Sequence, residues 1–173
     1  MRQPILAANW KMHKTVRQAV AFVEAFLPHV GSVAGREVVI APPFPQLAAL
    51  AQALRGSAIR WAAQNVHPEE QGAFTGEVSP GMLADLGCTY TIVAHSERRA
   101  LFGESSEFVA RKAAALLAHG IRPIVCVGET LEERESERTF EVVGRQLEES
   151  LARVPEADAE RVVLAYEPVW AIG

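Results

Sequence analysis

Residues 91–97 read Thr-Ile-Val-Ala-His-Ser-Glu, a short β-rich run that hands over directly to three polar side chains. A run of this kind reads as a strand buried on both faces. Similar runs recur outward from it: Ile5–Ala8, Glu37–Ala41 and Ile59–Ala63 before it, Ile121–Val127 and Val162–Tyr166 after it. Strand starts fall roughly 20–40 residues apart with helical patterns between them, the signature of repeated βα units. Val16, Val20, Val23 and Leu27 follow helical offsets. Phe140, Val143, Leu147 and Leu151 do the same, with Glu and Arg filling the opposite face.

The punctuation supports this parse. Thr15, Ser79 and Ser105 stand where helix N-caps are wanted, and Pro80 suits a first helical position. Gly120 lies between a helical pattern and the next strand, where a C′ glycine belongs. Residues 64–79 are polar, hold Gly72 and Gly76, and read as a long loop of the kind that is either functional or disordered. The fold class is therefore α/β with a parallel sheet. Pattern alone leaves two architectures open, a doubly wound sheet and part of a (β/α)8 barrel. Ala7-Ala8-Asn9-Trp10-Lys11 follows the first strand in place of a Gly-rich dinucleotide fingerprint, and no P-loop occurs.

With 173 residues, 49% hydrophobic and 22% charged, the chain reads as one soluble domain over residues 1–173. That hydrophobic fraction excludes disorder. A formal net charge of −4 gives no electrostatic reason to expect nucleic acid. Cys88 and Cys126 are too few for a disulfide framework. No apolar run approaches the length of a membrane span, and the N-terminal residues do not form a signal peptide, so a cytoplasmic location is expected. The run Glu132–Arg138 reads as a solvated helix face.

In both architectures functional groups gather past the carboxyl ends of the strands. Asn9 and Lys11 follow the first strand, His95, Ser96 and Glu97 the fourth, and Glu167 the sixth. A carboxylate, an imidazole and an ammonium without a metal-ligand set suit proton transfer. Glu167 could take a proton from the carbon next to a carbonyl, His95 could hydrogen-bond the carbonyl oxygen, and Lys11 could hold a phosphate and developing negative charge. The apolar run Val169-Trp170-Ala171-Ile172-Gly173 beside that carboxylate suggests a lid that excludes water. Cys126 reads as a small buried group near the site. His95-Ser96-Glu97 has a deaminase-like His-x-Glu shape, but the Pro-Cys-x-x-Cys partner is absent.

Five motifs bring these residues together: Ala8-Asn9-Trp10-Lys11-Met12, Gln64-Asn65 with Gly72-Ala73-Phe74-Thr75-Gly76-Glu77, Ala94-His95-Ser96-Glu97-Arg98-Arg99, Cys126-Val127-Gly128-Glu129, and Ala165 to Gly173. In this order they closely resemble the triosephosphate isomerase family over the whole chain. The resemblance implies a (β/α)8 barrel that interconverts dihydroxyacetone phosphate and D-glyceraldehyde 3-phosphate without a cofactor. That family is a standard example of a Glu base, a neutral His electrophile and a closing loop, so these roles come with the resemblance. Glu167 would be the base, and His95 the electrophile, kept neutral by the helix N-terminus near Ser96. Lys11 and Asn9 would bind substrate, Gly173 would offer a lid amide to the phosphate, and Glu97 would support them from behind. Phe74 and Thr75 would dock into a second subunit of a homodimer.

The family's barrel has eight βα units in about 250 residues. Six strands are countable here, so the seventh and eighth, with the loops that usually complete the phosphate site, are expected to lie outside this sequence. The alternative expectation is a catalytically inactive, self-associating fragment. Another phosphosugar barrel enzyme, such as an aldolase or epimerase, is weaker, because no lysine sits deep in a later strand for Schiff-base chemistry.

Overall fold

The computed structural model describes residues 3–30 and 34–172. Six strands, β1 (Ile5–Asn9), β2 (Glu37–Ala41), β3 (Arg60–Ala63), β4 (Tyr90–Val93), β5 (Arg122–Val127) and β6 (Val163–Tyr166), form one sheet in the order of the chain. Every pairing is parallel. That order decides between the two architectures. A doubly wound sheet reverses its strand order at a switch point. Here each strand lies beside its successor, and the sheet curls into part of a (β/α)8 barrel.

Helices fill the crossovers: α1 (Val16–Phe26), α2 (Leu47–Ala53), α3 (Pro80–Asp85), α4 (Ser96–Phe102), α5 (Ser106–Ala118), α6 (Leu131–Glu135) and α7 (Thr139–Leu151). Local chemistry sets their ends. The Thr15 hydroxyl accepts the Gln18 N–H, and the Gln18 side chain accepts the Thr15 N–H in return. Ser79 and Ser105 accept the Met82 and Phe108 N–H groups at the starts of α3 and α5. Gly120 follows the α5 C-cap with a φ of +76°, which a side chain would disfavour.

Two buried layers flank the sheet. Ala19, Val23, Leu50, Leu54 and Ile59 pack with Ile40 between strands and helices, as do Leu47, Val93, Val109 and Leu116. The other face is lined by strand residues alone: Val39, Ala41, Ala62, Tyr90, Ile92, Ile124 and Cys126. These alternate along each strand, as the pleat requires.

Three expectations need correction. Phe140 is 92% exposed and drops out of the α7 stripe, whereas Val143, Leu147 and Leu151 pack against the core as expected, with Val142 and Ser150 buried beside them. Ala94 is not part of β4, because its φ of +64° breaks the extended run one residue earlier. Burial on both faces holds for β4 and most of β5 but not for β1 and β6. Each of those has one strand neighbour among the described residues, and Leu6 and Leu164 are each 52% exposed.

Candidate active site

Past β1 the backbone turns sharply. Lys11 adopts a φ of +49°, and its N–H donates to Asn9 Oδ1 at 2.9 Å. This bend brings the Lys11 ammonium to Glu97 Oε1 at 2.8 Å. Glu97 lies in the first turn of α4, and the hydrogen bond from Lys11 is the main reason its carboxyl lies below the usual carboxylate value. It is 46% exposed, so solvent screens the pair strongly.

His95 links Glu97 to Glu167. Its Nδ1 accepts the Glu97 N–H at 3.2 Å, which places the ring proton on Nε2. Nε2 then faces Glu167 Oε1 at 3.1 Å. The Ser96 N–H at the start of α4 donates to Glu167 Oε2 at 3.0 Å, and a helix N-terminus favours a carboxylate there. Side chains from the ends of β1, β4 and β6 thus form one continuous polar chain along the rim: Lys11, Glu97, His95, Glu167. Both oxygens of Glu167 are engaged by groups of the protein. A cavity of about 290 Å³ opens beside this carboxylate, bordered by Ser96, Gly128 and Val169.

Cys126 lies beneath the carboxylate. Burial pushes its thiol up and the nearby Glu167 charge pushes it further, so it carries no nucleophilic thiolate. Asn9 acts on the Lys11 backbone in this structure. Phe74 and Thr75 stand apart from the polar chain on the exposed loop, with the Phe74 ring 4.1 Å from that of His67. Gly173 lies outside the described residues.

The segment after Glu167 is anchored by a group that reading past the strand ends did not single out. Glu129 is fully buried and accepts from Tyr166 Oη at 2.9 Å and Trp170 Nε1 at 3.1 Å. The Glu129 carbonyl also accepts the Val169 N–H. Arg134 completes the tether, 3.4 Å from Glu129 Oε1 and with its guanidinium 4.4 Å from the Trp170 ring centroid. This corrects the reading of Glu132–Arg138 as purely solvated. The only sequence signal for Glu129 was its place at the end of the Cys126-Val127-Gly128-Glu129 motif.

The comparisons with known proteins agree with this geometry. The family model for triosephosphate isomerase matches residues 4–173. A triosephosphate isomerase from Pelobacter propionicus is 54% identical over all 173 residues of this chain, which span 69% of that relative. Those from Chloroflexus aurantiacus and Caldanaerobacter subterraneus are each 51% identical with the same coverage. The sequential parallel sheet, the polar rim and these relatives lead to one assignment: the chain belongs to the triosephosphate isomerase family.

Proposed function

We propose that this chain is a triose-phosphate isomerase, interconverting dihydroxyacetone phosphate and D-glyceraldehyde 3-phosphate through an enediolate. The observation that carries the assignment of roles is the 3.1 Å approach of His95 Nε2 to Glu167 Oε1. It brings a carboxylate and a hydrogen-bond donor to one point on the rim.

The Glu167 carboxylate removes a proton from C1 of dihydroxyacetone phosphate, and the electron pair moves toward the carbonyl oxygen. The Nε2–H of His95 donates to that oxygen as charge builds, and the Lys11 ammonium stabilises the anion and the phosphate. The C1 hydroxyl proton passes to the C2 oxygen by way of His95 Nε2, and Glu167 returns its proton to C2, leaving the C1 aldehyde of D-glyceraldehyde 3-phosphate. A preorganised donor at the developing oxyanion typically lowers the barrier by roughly 3–4 kcal/mol. Because Ser96 and His95 occupy both carboxylate oxygens at rest, substrate must displace one of these contacts. Asn9 supports Lys11 and the substrate, Gly173 would contribute a lid amide, and Cys126 packs under the base.

The test is isomerisation of glyceraldehyde 3-phosphate by the chain, alone and with a C-terminal complement, beside Glu167→Gln. Turnover that Glu167→Gln abolishes supports the reading. A folded chain with no turnover in either form overturns it. Family membership also supports a homodimer joined through Phe74 and Thr75, and a cytoplasmic location. Sedimentation of the chain with and without Thr75→Arg checks the dimer. No helix among the described residues is long and apolar enough to cross a membrane.

A further inference from the structure

The bend after β1 holds two residues with side chains in the left-handed region, Lys11 at φ +49° and Lys14 at φ +70°. That conformation is disfavoured for any residue with a Cβ, so the surroundings must impose it. Two glutamines from other parts of the chain reach into the bend. Gln64, just past β3, donates from Nε2 to the Lys11 carbonyl at 2.9 Å and to the Ala41 carbonyl at 2.8 Å. A primary amide has two N–H groups, and Gln64 uses both. Ala41 is the last residue of β2, and its carbonyl also accepts the Trp10 N–H at 3.0 Å. Gln46, 2% exposed, donates to the His13 carbonyl at 3.1 Å and to that of Lys14.

Gln64 therefore fastens the Lys11 peptide to the end of a neighbouring strand from the carbonyl side, while Asn9 fastens it from the N–H side. With both sides held, Lys11 cannot rotate back to negative φ without straining or breaking these two hydrogen bonds. We propose that Gln64 is a positioning residue for the isomerisation, locking Lys11 in the left-handed conformation that aims its ammonium along the rim, with Gln46 holding the next turn. This rests on the role of Lys11 in the site described above. Gln64 touches no reacting atom and acts only through the Lys11 backbone.

Gln64→Met keeps the length and removes both donors. In that variant, with the fold intact by circular dichroism, Lys11 relaxes toward negative φ, which its Cα and Hα chemical shifts report directly. Misplacing a charged group by about 1 Å lowers kcat/KM by roughly 100-fold. A stability cycle separates locking from mere packing. Glycine needs no lock, so Gln64→Met lowers Tm clearly less in the Lys11→Gly background than in the parent. Where Gln64→Met does not fold, Gln64→Asn, one methylene short with its amide retained, serves in both measurements. Unchanged Lys11 shifts, or equal Tm losses in the two backgrounds, overturn the proposal. Both readouts are independent of turnover, so they decide the role of Gln64 even if the chain proves inactive, the outcome that would instead overturn the isomerase reading.

Discussion

The backbone of Gly128 lies against that of Glu167 so closely that a Cβ on Gly128 would stand 1.7 Å from the Glu167 carbonyl oxygen. Only glycine permits this approach, and it fixes how far β6 can sit from β5 where the base leaves the strand. The Gln146 side chain holds Gly128 in place, accepting its N–H at 2.9 Å and donating to its carbonyl at 3.0 Å. Gly128→Ala must therefore move the Glu167 backbone, since the obstructing atoms are main chain. Overpacking of this kind costs about 1–3 kcal/mol. The displaced base lowers kcat by roughly 100-fold. Urea unfolding and steady-state kinetics check both. A variant with parental stability and kcat would show that the two loops can separate freely.

Glu129 gives the segment after Glu167 a pH dependence. Burial pushes its carboxyl up, but hydrogen bonds from its own backbone, Trp170, Tyr166 and Arg134 outweigh burial and hold it below the usual value. A depressed folded-state value means the tether is intact above the ordinary carboxylate pKa of about 4.3 and fails as pH falls through the folded value. The Trp170 indole N–H resonance is expected to stay constant from neutrality to about pH 5 and to shift only in more acid solution. Glu129→Gln should move that resonance already at neutral pH. A titration centred near neutrality would contradict this account.

Glu104 and Lys112 form a buried pair at 3.1 Å, with Arg98 on the same carboxylate and Asn65 Oδ1 2.7 Å from the lysine. Glu104 Oε1 also accepts the N–H of Ala94, the residue before His95. Removing one partner of such a pair strands a charge and costs roughly 3–5 kcal/mol. Glu104→Gln should lower the urea midpoint accordingly, and adding Lys112→Met should recover part of the loss. An unchanged midpoint for the single variant would mean that water already compensates the lysine.

The two cysteines are expected to be inert. Burial pushes the Cys88 thiol up to about 12, and Cys126 is pushed higher still. An aromatic disulfide reagent in mildly alkaline buffer should label neither in the native protein and both in denaturant. Fast labelling of either native thiol would place that cysteine nearer the surface than the structure does.

What could be read from the sequence follows the range of the interactions. Caps at Thr15, Ser79 and Ser105 depend on atoms three residues away, so spacing alone locates them. Strand order is non-local, and the pattern of βα units left the barrel and the open sheet equally placed until the pairings decided. Phe140 misled because it extends the apolar spacing of Val143, Leu147 and Leu151 back into the first turn of α7, where it is left exposed. Lys11, His95 and Glu167 stood out because each follows a strand. Glu129 follows one too, yet its role depends on Tyr166 and Trp170, 37 and 41 residues further on. Gln64 was legible only as part of a motif, since a glutamine's donors carry no meaning until their carbonyls are known.

The sequential order of the sheet also sets a timetable. During synthesis each strand can dock on the one made before it, because its neighbour has already left the ribosome. The imidazole just past β4 and the ammonium beside β1 can be held in place while β5 adds. The Glu167 carboxylate, proposed as the proton acceptor, arrives only with β6. Assembly thus supplies the proposed charge-stabilising groups first and the proposed base last, so no partly made rim carries that carboxylate without the donors that restrain it.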